Sequence, residues 1–226
     1  MNEKQLVAHK AANMIKDDMI VGLGTGSTAN YFIEALAQRQ NKENLQISTV
    51  SSSVISYIKA KQSGLPVLGI EQLSHLDIYV DGADEVCTDG ALLKGRGSDL
   101  VKEKILAKAS QQFVVLVDQS KLVNHIGEKF AIPIEVMPFA WQLVKNNLQK
   151  IGGSGELRLN ANKDNVAVTA HGSLVLDMTF DTKISASELN DYLNGLPGVV
   201  EHGIFINLAT TILIGKDGKV EQKSIK

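Results

Sequence analysis

The run Phe113–Val117, FVVLV, has no polar position, and it constrains the fold more than any other stretch of this chain. A strand with one wet face alternates apolar and polar residues. A strand that is apolar throughout needs cover on both faces, as in a parallel sheet flanked by helices. The surrounding segments have the matching rhythm. Leu6, Val7, Ala11, Met14 and Ile15 recur at helical spacing, Met19–Leu23 reads as a short buried strand, and a helix follows to about Leu36. Gln46–Val50 and Asp77–Asp81 read as further strands, with helices near Val54–Lys61 and Asp99–Ala109. This alternation predicts a mainly parallel α/β sheet.

After about Asn124 the rhythm changes. Ile132–Val136 reads as a strand, Ala140–Gln149 as a helix and Gly152–Gly155 as a flexible turn. Strands are expected at Glu156–Leu159, Val166–Ala170 and Leu174–Phe180. A helix follows over Ser185–Leu193, capped by Ser185 or Ser187, and then a strand over Val199–Phe205. That order belongs to a small split-βαβ, ferredoxin-like α+β domain. Ala209–Ile214 is expected to return to the first sheet.

Composition narrows the function. Twenty-three basic and 25 acidic residues leave a net charge of −2, which offers no basic field for a nucleic-acid backbone. The single cysteine, Cys87, excludes an internal disulfide or a multi-cysteine zinc site. No apolar run reaches the roughly 20 residues needed to cross a bilayer. The opening MNEKQLVAHK has charges and no apolar core, so a secretory signal is not expected. A cytoplasmic protein facing small molecules is expected, with neither nucleic acid nor membrane as partner.

Chemistry concentrates in two glycine-rich turns. GLGTGST, Gly22–Thr28, lies between a strand and a helix, where backbone N–H groups and the helix dipole can hold an anion. The dinucleotide spacing G-x-G-x-x-G is only half met, and no Gly-Lys-Ser/Thr follows. A phosphate cradle fits better than a nucleotide fingerprint, with a merely tight strand–helix turn as the plain alternative. Downstream, YVDGADEVCTDGALLKGRGSDLVKE (79–103) displays Asp81 and Asp84 at a strand end, Lys94 inside Lys94-Gly95-Arg96-Gly97, and Glu103 on a helix. The aspartates suit an acid/base pair or ordinary turn chemistry. Glu85 reads as solvated. Lys94 could stabilise an oxyanion or be an exposed loop charge. Glu103 sits away from a Val101/Ile105 stripe, which reads as a solvent position. Lys121 ends a strand and could meet a phosphate or be a surface lysine. The five histidines have no metal-ligand spacing.

Together these residues resemble the type A ribose-5-phosphate isomerases. The matching motifs are GLGTGST (22–28), SSS (51–53), YVDGADE (79–85), LKGRG (93–97), EKI (103–105), D-x-S-K (118–121), IPIEVMP (132–138) and LPGVVEHGIF (196–205), in family order over almost the whole chain. The resemblance implies a Rossmann-like catalytic domain, 1–125 with 206–226, and a small α+β domain, 126–205. It implies interconversion of ribose 5-phosphate and ribulose 5-phosphate without metal or organic cofactor, in a homo-oligomer, commonly a dimer. Glu103 would be the base that shuttles a proton through a cis-enediolate. Lys94 and nearby amides would stabilise the enediolate oxygen, Asp81 would assist ring opening or hydroxyl proton transfer, and Asp84 would orient the substrate or Lys94. Thr25, Gly26, Ser27, Thr28, Gly82, Ala83, Gly95, Arg96, Gly97 and Lys121 would complete the substrate-binding set, with Lys4 as a further phosphate contact. Arg96 and Ser98 stand where the family favours small residues. A sugar-phosphate-sensing regulatory domain is the alternative reading.

Overall fold

A computed structural model of the protein describes residues 1–181 and 184–225. In chain order it begins with α1 (Glu3–Ala12), β1 (Ile20–Leu23), α2 (Ser27–Glu43), β2 (Ser48–Ser51), α3 (Val54–Gln62) and β3 (Leu76–Gly82). There follow β4 (Glu85–Cys87), β5 (Leu92–Leu93), α4 (Leu100–Ala109), β6 (Ser110–Asp118), β7 (Leu122–Val123), β8 (Ile132–Val136) and α5 (Trp141–Lys150). The chain ends with β9 (Ser154–Leu157), β10 (Leu174–Thr179), α6 (Ala186–Asn194), β11 (Val199–His202), β12 (Ile204–Phe205), β13 (Thr211–Lys216) and β14 (Lys219–Ser224).

The chain divides into two compact units. The first comprises Met1–Ala83, Lys102–Lys121 and the chain from Leu208 onward; the second comprises Asp84–Val101 and Leu122–Asn207. Residues 84–101 thus pack with the small domain, although they precede its expected start at 126.

The first unit is built on a six-stranded sheet in the order β14-β13-β6-β3-β1-β2, parallel except for the β13–β14 hairpin. All of Phe113–Val117 is buried in β6, as an apolar strand covered on both faces requires. Its core joins Val21, Leu23, Phe32, Ile33, Leu36, Ile78, Val80, Val114, Leu116 and Leu213. Strand order reverses direction between β1 and β3, and the carboxyl ends of strands at such a reversal open the ligand crevice of α/β sheets. Gly24 and Asp81 lie at those two ends. The C-terminal hairpin was not expected, yet Asp217 and Gly218 carry its two-residue turn at positive φ of 48° and 71°.

The second unit contains a βαββαβ module whose sheet order, β11-β8-β10-β9, is antiparallel throughout. Ile132, Ile134 and Val136 of β8 pack with Val144, Leu148, Leu176, Met178, Leu189 and Leu193. Ser185 caps α6 by accepting from the Glu188 N–H, and Glu188 answers the Ser185 N–H. Two expected strands differ. Val166–Ala170 forms only isolated bridges, because this segment turns back to put Thr169 on the buried Glu135, 2.8 Å away. Val199–Phe205 splits at Gly203, whose flanks join separate sheets. β12 enters a second four-stranded sheet, β12-β5-β4-β7. A Cβ at Gly203 would lie 2.3 Å from the Lys94 carbonyl oxygen, so only glycine fits at this crossing.

Candidate active site

The first turn is organised around one carboxylate. Asp81, buried at the end of β3, accepts at Oδ1 from the N–H of Thr25 (3.0 Å) and Gly82 (2.7 Å), and at Oδ2 from the Tyr79 hydroxyl. Gly24 leaves the room: a Cβ there would lie 2.0 Å from Asp81 Oδ1. Thr25 Oγ1 donates to Ser53 Oγ at 2.7 Å and lies 2.9 Å from Ser52 Oγ. Ser53 in turn caps α3. Thr25 therefore spends its polar groups on the protein itself. Beyond it, Gly26 is the N-cap of α2 at φ 107°, with no side-chain cap, so the first-turn N–H groups keep their anion-binding character. Lys4 Nζ donates to Ser27 Oγ at 2.9 Å, which sets a cation at that helix start. Lys121 ends a single 3₁₀ turn directly after β6.

Glu103 corrects the sequence reading. It is 5% exposed and Ile105 is 47% exposed, the reverse of the expected arrangement. The buried positions of α4 include Leu100, Glu103, Lys104 and Ala107, an i, i+3, i+4, i+7 face that carries two charges. The Tyr79 phenol donates to Asp81 and also lies in the field of the Glu103 carboxylate. Burial, then the charges of Asp81 and Glu103, push its pKa well above the ordinary value, so the phenol stays a protonated donor. Burial likewise lifts the Cys87 thiol to about 12, which keeps it from acting as a thiolate.

The second unit holds Asp84, Lys94 and the loop after it. Lys94 is 3% exposed; its N–H bonds the Gly203 carbonyl at 2.8 Å and its Nζ lies 5.7 Å from the Phe205 ring centre. This is not an exposed loop charge. Gly95 takes φ 91°, and a Cβ there would strike Leu100 Cδ2 at 1.6 Å. Asp84, partly exposed, has Arg96 Nη1 at 4.0 Å. Glu85 is fully buried rather than solvated: its oxygens accept from the N–H groups of Gly127 (2.6 Å), Lys129 (2.6 Å) and Phe130 (2.8 Å). It is a fastener for that loop. Among the described residues, no group of three or more His, Cys, Asp or Glu side chains is placed to hold a metal ion, and no helix is long and apolar enough to cross a membrane.

A family model of ribose 5-phosphate isomerase A (phosphoriboisomerase A) matches residues 48–219, well over half of the chain. This chain belongs to the ribose 5-phosphate isomerase A family. The ribose-5-phosphate isomerase A of Thermosynechococcus vestitus is 42% identical over 225 residues, covering 98% of this chain and 95% of that protein. That of Thermococcus kodakarensis is 42% identical over 213 residues, 94% of this chain and 93% of its own. Among solved structures, ribose 5-phosphate isomerase A from Methanocaldococcus jannaschii superimposes with a TM-score of 0.93 at 38% identity, covering 98% of each chain. A D-ribose-5-phosphate isomerase in complex with phospho-erythronic acid reaches 0.95 at 36% identity, covering 99% of this chain and 100% of that one. A model of the DeoR C-terminal sensor domain also matches, over residues 1–85. That match stops before Lys94 and Glu103, and the sensor reading has no further support.

The family motifs named the turn residues, the aspartates, Lys94 and Glu103 as candidates. They included Tyr79 and Ser52 without giving either a role, although Tyr79 donates to Asp81 and Ser52 meets Thr25, and they left out Arg158 and Phe130, which hold the loop after Lys94. A tyrosine two residues before a strand-end aspartate, on the same face of the strand, was the one local signal available for the first pair.

Proposed function

We propose that this chain interconverts ribose 5-phosphate and ribulose 5-phosphate by moving a proton between C2 and C1 through a cis-enediolate, in the non-oxidative pentose phosphate pathway. The observation that carries the reading is Glu103, a carboxylate buried beside the Tyr79–Asp81 pair in a chain similar over nearly its whole length to ribose-5-phosphate isomerases. Glu103 is the base. Lys94 and the N–H groups after it oppose the charge that develops on the enediolate oxygen. Asp81 assists ring opening or hydroxyl proton transfer, and Asp84 orients the substrate or Lys94. The N–H groups at the start of α2, with Ser27, Thr28, Lys4 and Lys121, take the phosphate, while Gly82 and Ala83 line the sugar.

Magnitudes explain why so many groups are needed. A positioned general base supplies about 10²–10⁴-fold. The remainder must come from holding the substrate and from fixed charge at the oxyanion. No metal or organic cofactor enters this scheme. The test is turnover of ribose 5-phosphate by the purified protein in the presence of a chelator, alongside Glu103→Gln. The wild type should turn over undiminished, and the variant should lose about 10²–10⁴-fold while still binding the sugar phosphate. Near-wild-type turnover in Glu103→Gln removes the base, and loss of wild-type activity with chelator overturns the metal-free scheme.

A further inference from the structure

The loop after Lys94 is held from the small antiparallel sheet by Arg158, the residue after β9. Its guanidinium works in two directions. Nε and Nη2 donate to Asp177 Oδ2 and Oδ1 on β10 at 2.8 and 2.6 Å, a bidentate pair. Nη1 donates to the carbonyls of Gly95 (3.2 Å) and Arg96 (3.1 Å) and to Ser98 Oγ (2.9 Å). The Ser98 N–H bonds the Gly95 carbonyl at 3.1 Å, which closes a four-residue turn with Arg96 and Gly97 at its centre.

Peptide geometry turns this clamp into a statement about donors. The C=O and N–H of one trans peptide point in opposite directions. Carbonyls of Gly95 and Arg96 drawn toward Arg158 therefore send the N–H groups of Arg96 and Gly97 the other way. Among the described residues, neither N–H has a hydrogen-bond partner. The central peptide of such a turn has two opposed orientations, those of types I and II, and glycine in the third position permits both. Gly97 is not at positive φ, so the turn has the type I sense. Nothing in glycine selects that state. The bond from Arg158 to the Arg96 carbonyl does. The Arg96 side chain adds a second hold, its guanidinium carbon 4.0 Å from the centre of the Phe130 ring, and the Phe130 N–H is fixed on buried Glu85. Arg96 and Ser98, the two departures from the family pattern, are thus both engaged by the clamp.

We propose that Arg158 is a positioning residue for the isomerisation: by fixing the Gly95–Arg96 and Arg96–Gly97 peptides through their carbonyls it aims the N–H groups of Arg96 and Gly97 as donors to the enediolate oxygen. This rests on the reading above that the loop after Lys94 meets the oxyanion. Without Arg158 the central peptide can turn over and present a carbonyl where a donor stood. The damage belongs to the transition state, where the negative charge is, and not to the hold on the phosphate.

The experiment compares Arg158→Met and Arg158→Lys with the wild type, measuring kcat and KM for ribose 5-phosphate and the inhibition constant of phospho-erythronate, whose carboxylate carries the charge that the substrate lacks. Arg158→Met should lower kcat by about 10²-fold, the scale of one lost oxyanion donor. KM should stay nearly unchanged, and the inhibition constant should rise with the loss in kcat. Lysine keeps the charge but cannot fork between a carboxylate and two carbonyls, so Arg158→Lys should fall between the two. Should the methionine variant not fold, the lysine variant carries the same split. Equal weakening of KM and inhibitor binding, or unchanged kcat in a folded variant, overturns the proposal and leaves the isomerase reading standing. A wild type inactive on ribose 5-phosphate overturns both.

Discussion

The two glycine-rich turns look alike in sequence and are held in opposite ways. At the first, Asp81 accepts from the N–H groups of Thr25 and Gly82 and from the Tyr79 hydroxyl, and the two N–H groups are donors that no side-chain change removes. At the second, one guanidinium holds the Gly95 and Arg96 carbonyls, and it arrives from 63 and 62 residues downstream. The first turn is fixed redundantly by its own neighbourhood. The second has a peptide with two permitted orientations, and the one hydrogen bond to its carbonyl comes from a distant side chain, with Arg96 stacked on Phe130 as a further hold. A redundantly fixed turn suits a ground-state grip, which must exist before the ligand arrives. A peptide whose carbonyl is held by one hydrogen bond concentrates its effect on one step. Damage to the two turns should therefore look different in kinetics.

The largest effect short of removing the proposed base, Glu103, is expected where the first turn has no slack. In Gly24→Ala the new Cβ would stand 2.0 Å from Asp81 Oδ1 and 2.5 Å from its Cβ, so the carboxylate must move. A displacement near 1 Å at a reacting group costs about 10²-fold. The expected outcome is a fall of that size or more in kcat/KM, with loss of stability as the strained carboxylate gives up its bonds. Wild-type kinetics in Gly24→Ala would show that the turn is looser than its packing indicates. A smaller and purely ground-state effect is expected at Lys4, whose ammonium sits on Ser27 at the start of α2. Hydrogen bonds to charged groups contribute about 1.5–3 kcal/mol, so Lys4→Met should raise KM for ribose 5-phosphate about 10-fold and leave kcat alone. A kcat effect equal to that of Arg158→Met would erase the contrast between the turns.

The same contrast decides what could be read from sequence. The first turn was legible because its meaning is local: strand, glycines, hydroxyls and helix start are contiguous, and Asp81 follows an apolar strand. The βαββαβ order of the small domain was legible for the same reason, since periodicity sets each element and the order sets the sheet. Glu103 was misread because the apolar residues Val101 and Ile105 suggested the inward face, whereas α4 buries Glu103 and Lys104 instead. A helix that buries charge breaks the pattern by which helix faces are recognised, and functional sites are where that happens. Glu85 was misread because its three partners lie at 127, 129 and 130. Arg158 carried no local signal at all, being one arginine beside an irregular hairpin. The Asp217-Gly218 hairpin was legible and was missed.

Tyr79 offers the finest test of redundancy. Its hydroxyl gives Asp81 the third of three described hydrogen bonds, while its ring stacks on Phe113 at 4.9 Å and an interplanar angle of 21°. Phenylalanine keeps the stack and removes only the donor. The two N–H bonds to Oδ1 remain, so the carboxylate should hold its place. Tyr79→Phe should lower kcat about 5-fold, the worth of one net hydrogen bond near 1 kcal/mol, with KM unchanged. Alkaline behaviour gives a second check. The folded phenol titrates well above the ordinary value of 10.0, so it binds its proton where the unfolded chain has lost one, and its contribution to stability falls as pH rises past 10. The wild type should therefore lose stability above pH 10 more steeply than Tyr79→Phe in denaturation curves at graded pH. Because the phenol keeps its proton in the native state, the alkaline limb of the pH–rate profile should be the same in both. A kcat loss as deep as that of Arg158→Met would mean that Asp81 too hangs on a single side chain, and the two turns would no longer differ in kind.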